Sequence, residues 1–136
     1  MILLDTHALV WYRAGARLRK GAMEAIAGSS KRGQIAVSSI SAWEIGMLSA
    51  RGRLDLGMPV ADYMRELFRR SDVHEVPVTV PIAVRAAELS ETFGGDPADQ
   101  ILLATAIELD CPIVTRDRRI VEFAKHSAGT VSAIAC

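Results

Sequence analysis

Only two cysteines, Cys111 and Cys136, occur in this chain, one near a predicted helix end and one at the last residue. A disulfide scaffold and a thiolate metal site are both excluded by that count and spacing, and a reduced, cytosolic protein is expected. Net charge is equally absent, because 16 basic residues offset 16 acidic ones. No global field draws in a polyanion, so any nucleic-acid contact must rest on local basic patches. No run approaches the roughly 20 apolar residues that a membrane span needs, and no basic segment precedes the apolar start. The chain is expected to be soluble, unexported and without a membrane partner. The three histidines, His7, His74 and His126, have no metal-ligand spacing, and Ser38, Ser39 and Ser41 lie near no His–acid pair. A nucleophilic triad is therefore not expected. No glycine-rich loop opens a helix, which argues against a nucleotide-phosphate cradle.

What is present is apolar periodicity. Half of the 136 residues are hydrophobic, enough for one ordinary core and too few for two domains, so residues 1–136 are read as a single domain. Ile2 to Leu4 is too short for a helix and reads as a strand leading into a helix. A polar stretch from Gly28 to Gly33 breaks the pattern before a second strand at Ile35 to Val37, and Ser41 to Glu44 opens another helix. Val60, Met64 and Leu67 form an amphipathic stripe. Val73 to Val78, holding Pro77, suits a short or edge strand, and Pro81 opens a helix that Gly94-Gly95 stops. Asp96-Pro97 begins the best-defined helix, running to about Leu109. A strand at Pro112 to Thr115, a helix near Arg118 to Lys125 and a strand near Thr130 to Ile134 complete the chain. Strands alternate with helices without repeats or low-complexity linkers. That order favours a three-layer α/β/α sandwich with a mainly parallel central sheet.

Within this pattern the acids recur at helix starts. Asp5, Glu44, Asp96, Asp99 and Asp117 belong to four strand-to-helix or loop-to-helix junctions, Asp96 and Asp99 sharing one. In a parallel sheet the carboxyl ends of the strands share one edge, so acids distant in sequence can converge there. Each acid also has an ordinary structural reading. Asp96 before Pro97 is close to an ideal helix cap, Ser41 with Glu44 matches a capping box, and Asp5 and Asp117 can cap the helices that follow them. Asp99 is different, since it aligns with the apolar stripe of Leu102, Leu103 and Ala106, and an acid atop a buried stripe needs a partner. Caps use Ser, Thr or Asn as readily as Asp, yet acids occupy these positions repeatedly. Converging carboxylates repel unless a cation binds, so metal-dependent phosphodiester chemistry is the leading expectation.

The same residues resemble a known family. An apolar run ending in Asp5-Thr6-His7, Ser39-x-x-x-Trp43-Glu44, Asp96-Pro-Ala-Asp99 followed by Ile-Leu-Leu-Ala-Thr-Ala, and Val114-Thr115-Arg116-Asp117 are similar, in order, to motifs of the PIN-domain nucleases. Within that family the chain looks most like the VapC-type toxins of bacterial toxin–antitoxin pairs. The resemblance covers nearly the whole chain. It implies a PIN-like fold, a Mg²⁺- or Mn²⁺-dependent endoribonuclease activity, a homodimer and a small cognate antitoxin as partner. By motif position it implies that Asp5, Glu44, Asp99 and Asp117 form the catalytic acidic set. Asp5, Asp99 and Asp117 would be the metal ligands, with Asp96, Thr6 and Thr115 as accessory groups.

Arg116, Arg118 and Arg119, beside Asp117, are the basic residues expected to meet the RNA backbone, with Arg51 and Arg53 as weaker candidates. Trp11, Tyr12 and Trp43 are read as core, and His7 as a bystander at a helix start. The apolar faces of the first helix (Leu9 to Tyr12) and of the Val60 helix (Val60, Met64, Leu67, Phe68) are the candidates for a dimer or antitoxin interface. A catalytically silent PIN-like module that binds RNA or protein is the alternative, although such a module would be expected to have lost one of the four acids. An aspartyl-phosphate phosphatase would need a second Asp where His7 stands.

Overall fold

The structure is a computed structural model that describes all of residues 1–136. Its elements run β1 (Ile2–Leu4), α1 (Thr6–Arg13), α2 (Lys20–Lys31), β2 (Ile35–Ser38), α3 (Ser39–Ala50) and α4 (Val60–Phe68). They continue with β3 (Val73–Val76), α5 (Val80–Thr92), α6 (Pro97–Glu108), β4 (Ile113–Thr115), α7 (Arg118–Lys125) and β5 (Ala133–Ala135). The five strands form one sheet in the order β3-β2-β1-β4-β5, and every pairing is parallel. No helix is long and apolar enough to cross a membrane.

Strand alternation sorts the core into two layers. Ile2, Leu4, Ile35, Val37 and Val114 face one side of the sheet, where they pack with Leu9, Ala22, Ile26, Met64 and Leu67 from α1, α2 and α4. Leu3, Ala36 and Ile113 face the other side, against Ile82, Leu89, Leu102, Leu103 and Ile120 from α5, α6 and α7. Because both faces are covered, β1, β2 and β4 are buried at every position, which explains their continuous apolar runs. β3 is an edge strand with two exposed residues, as Pro77 immediately after it suggested.

Three local readings change. The Gly28–Gly33 stretch is not a break, since α2 runs through it to Lys31. Its small residues left a faint stripe, Ala22, Ile26 and Ser29, as the only helical signal. Ser41 is not a helix cap. The helix begins at Ser39 directly from the strand, and Ser38 caps it by accepting from the Ile40 N–H, which leaves Ser41 fully buried inside α3. The proposed interface faces are largely core, because Leu9, Met64 and Leu67 lie against the sheet, whereas the large exposed apolar side chains include Trp43, Val80 and Val84.

Chain order and sheet order together fix where a site can form. From central β1 the chain winds outward through β2 to β3, then returns to β4 on the opposite flank of β1. The crevice beyond the carboxyl ends of β1 and β4 is the switch point at which an open parallel sheet leaves room for a ligand. Asp5 follows β1 directly, and Thr115 and Asp117 lie at the end of β4.

Candidate active site

Three of the acids are set by the helix starts that they also cap. Asp5 Oδ1 accepts from the Ala8 N–H at 2.7 Å, Asp96 Oδ1 from the Asp99 N–H at 3.0 Å, and Asp117 Oδ1 from the Arg119 N–H at 2.8 Å. The structural and functional readings of these residues thus hold together. One carboxylate oxygen is tied to the helix and the residue still lines a shared cleft. Gly94 and Gly95, both with φ of 70°, make the turn before Asp96, and a Cβ at Gly95 would come within 2.8 Å of the Phe93 ring. Only glycine fits there, and Gln100 secures the turn by donating to the Gly94 carbonyl at 2.8 Å.

Asp5, Glu44, Asp96, Asp99 and Asp117 all line one open cleft of about 470 Å³ at the carboxyl edge of the sheet. Two hydroxyls brace them from below. Thr115, fully buried, hydrogen-bonds to the Asp5 carboxylate and accepts from the Asp117 N–H at 2.9 Å, which couples the acids after β1 and β4. Thr6 Oγ1 lies 2.5 Å from Glu44 Oε1 and 2.9 Å from Ser41 Oγ. A hydroxyl has one proton, so Thr6 donates to the carboxylate and accepts from Ser41. Ser41 is a supporting residue that the sequence reading took for a cap. Its burial could be read only once α3 was known to start at Ser39.

Charge is crowded in this cleft. Burial raises the Asp5 and Glu44 carboxyls, against hydrogen bonds from Thr115 and Thr6 respectively. Asp99 is raised from 3.8 to about 7, first by burial and then by the charges of Asp96, Asp117 and Glu44. Asp117 goes the other way. Burial acts to raise it, but the side-chain and backbone donors of Arg119 outweigh that and hold it below the usual range. Arg119 Nη2 stands 2.9 Å from Asp99 Oδ2 and 3.0 Å from Asp117 Oδ2. Both acids therefore share one guanidinium, which grips Asp117 through more donors than Asp99. Arg119 is consequently inside the acidic cluster rather than free on its rim.

The other basic residues divide. Arg116 lines the cleft, its guanidinium carbon 4.5 Å from the centre of the Trp11 ring. Arg118 lines an adjoining hollow with Arg19, Arg116 and Lys125, of which Arg19 and Lys125 were not anticipated. Arg51 sits with Trp43, Met47 and Pro97 in a groove beside Glu44, whereas Arg53 is exposed and lines none of these hollows. Trp43 is 59% exposed, contrary to its reading as core, because its position on α3 points away from both layers. His7 lines the cleft next to Trp11, with ring centres 5.9 Å apart.

A hard divalent cation fits this donor set, which is made of carboxylate oxygens with hydroxyl support and carries the surplus negative charge that Asp99 registers. The acids do not close into a ready-made cage of three ligands, and Arg119 lies between two of them.

Comparison with known proteins shows the family and the fold. A sequence model of the family described as PIN domain matches residues 2–126. The chain is 37% identical over 120 residues to Ribonuclease VapC22 of Mycobacterium tuberculosis (strain ATCC 25618 / H37Rv), covering 88% of each. Among solved structures it is similar to VapBC2 from Rickettsia felis bound to a DNA fragment from its promoter. That likeness has a TM-score of 0.67 at 16% identity and covers 99% of this chain and 98% of the other. It is also similar to a toxin–antitoxin complex from Klebsiella pneumoniae, with a TM-score of 0.62 at 21% identity over 96% and 95% of the chains. At these identities the two solved structures speak to the fold, a PIN-like sandwich.

Proposed function

The chain belongs to the PIN-domain family, with a VapC ribonuclease among its relatives, and we propose that it is a metal-dependent endoribonuclease acting as the toxin of a toxin–antitoxin pair. The observation that carries this reading is the convergence of five carboxylates on one cleft, with Asp99 pushed up to about 7. Asp5, Asp99 and Asp117 are the residues that would hold Mg²⁺ or Mn²⁺, with Glu44 acting directly or through water and Asp96 adding charge at the rim. When bound by these residues, such an ion would supply a water of lowered pKa and positive charge to offset that of the scissile phosphate.

The protein's own groups prepare that chemistry. Thr115 fixes Asp5 and the Asp117 backbone in one arrangement, and Thr6 orients Glu44 while Ser41 orients Thr6. The caps at Asp5, Asp96 and Asp117 limit carboxylate rotation, so little reordering is needed when substrate arrives. Arg116, stacked on Trp11, and Arg118 with Arg19 and Lys125 in the adjoining hollow form the side of the cleft suited to RNA phosphates. A small cognate antitoxin as inhibitor, a homodimer and a cytoplasmic site of action complete the proposal. The structural likeness to a toxin–antitoxin complex from Klebsiella pneumoniae supports the first of these.

Cleavage of labelled tRNA, rRNA fragments and single-stranded RNAs, with Mg²⁺, Mn²⁺ or EDTA, tests the reading. Wild type should cut only with metal, and folded Asp5→Asn and Asp99→Asn should not cut. Identical traces from all three proteins would refute it and favour a silent binding module.

A further inference from the structure

Arg119 is the single basic side chain that forms ion pairs with the cleft carboxylates. Its place there is unusual on elementary grounds. It sits at the second position of α7, where the helix N-terminus disfavours a cation, and its side chain is 58% exposed. All of its side-chain hydrogen bonds go to the two carboxylates. Nη2 bridges Asp99 and Asp117, and Nε reaches Asp117 Oδ1 at 3.4 Å.

We propose that Arg119 is an internal counter-ion that occupies the metal-binding carboxylates in the ion-free protein, yields them to the divalent ion, and is thereby released toward the RNA phosphate. This rests on the metal-dependent reading above. Arg119 Nη2 lies on Oδ2 of both Asp99 and Asp117, so a divalent ion drawn to the same two carboxylates meets a cation already there, and the two compete. Exchange leaves the scaffold intact, because Asp117 keeps its cap bond from the Arg119 backbone N–H and its link through Thr115 when the side chain departs. The released guanidinium stays at the cleft wall, and its planar fork matches phosphate oxygens better than an ammonium would. A permanent strut between α6 and α7 would behave in the opposite way, since removing it would loosen both ligands and weaken metal binding.

The two readings separate in metal affinity. Mn²⁺ binding is measured by titration calorimetry on wild type, Arg119→Gln and Asp99→Asn, alongside the side-chain Nε–Hε NMR resonance of Arg119 in wild type with and without Mg²⁺. Arg119→Gln should bind Mn²⁺ about threefold to fivefold more tightly, the size of a solvent-exposed ion pair. The Arg119 resonance should move on Mg²⁺ saturation. Equal or weaker Mn²⁺ binding by a folded Arg119→Gln, or a resonance that Mg²⁺ leaves in place, overturns the proposal, and the resonance decides alone if the variant does not fold. Mn²⁺ binding by wild type that Asp99→Asn abolishes keeps the metal reading even when the Arg119 test fails. Absence of Mn²⁺ binding by wild type overturns both.

Discussion

Replacing Asp99 with Asn should stabilise the metal-free protein at alkaline pH while abolishing cleavage. In the folded, metal-free chain Asp99 keeps its proton up to about 7, against 3.8 ordinarily. Between those values the folded state holds a proton that the unfolded state gives up, so stability falls as pH rises from about 4 to 7 and the loss is complete above 7. Roughly three pH units at ~1.36 kcal/mol each would give about 4 kcal/mol. Partial exposure to water and the shared Arg119 screen that cost, which brings the expected penalty to about 1–2 kcal/mol. Asn removes the charge and keeps the shape. In EDTA at pH 8 the variant should therefore melt about 3–8 °C above wild type, and at pH 4 the two should coincide. Mg²⁺ should raise the wild-type Tm at pH 8 and leave the variant unmoved. Thermal melts followed by circular dichroism at both pH values check this. Asp5 and Glu44 carry slopes of the same sign, but they are common to both proteins and cancel in the comparison. A variant that melts below wild type at pH 8, or differs from it equally at both pH values, would refute the claim that Asp99 is held under repulsion.

Three further outcomes follow from the same geometry. Asp5→Asn should keep the helix cap and melt within about 2 °C of wild type, whereas Asp5→Ala should lose about 1 kcal/mol, and both should be inactive in the RNA cleavage assay. Thr6→Val removes the donor to Glu44 and should lower metal-dependent cleavage by about 10–100-fold, as loss of a group that orients a metal-site carboxylate does, read as kcat at saturating Mn²⁺. Trp11→Ala frees the Arg116 guanidinium and should raise the KM for RNA about threefold, with kcat nearly unchanged and the metal affinity unaltered.

The layered fold was legible because buried parallel strands leave short apolar runs that no surface helix imitates, as at Ile2–Leu4 and Ile35–Val37. α2 was not legible. Gly21, Gly28, Ser29 and Ser30 depress its intrinsic preference, and the helix is held by burying Ala22 and Ile26 against the sheet, a tertiary effect that local sequence does not carry. Trp43 shows the same limit in reverse, since composition favours a buried tryptophan and only the placement of α3 leaves it outside. The acids were identified by their types and junctions. The roles of Ser41 and Arg119 depend on distances across 35 and 20 residues of chain, which no local pattern records.

For Asp5, Asp96 and Asp117 a helix-cap role and a metal-binding role are compatible. A carboxylate has two oxygens, and the cap uses Oδ1 in all three residues. Asp117 puts its Oδ2 on Arg119 within the cleft, and Asp5 is additionally held by Thr115. Capping therefore orients the second oxygen at little entropic cost, and it also opposes the repulsion that comes from gathering like charges, since each anion sits at a positive helix end. Asp99 lacks this arrangement. It lies within the first turn of α6 without being its cap, and of these acids it is the one driven up to about 7. Asp5 is raised by burial despite its cap, and Glu44 and Asp99, which cap nothing, are raised too, so the cluster resists full ionisation until a cation binds. Thermodynamic coupling between metal binding and folding should therefore be strong at Asp99, so that Asn there removes the Mg²⁺-dependent rise in Tm, while Asn at Asp96, whose Oδ1 caps α6, removes little of it.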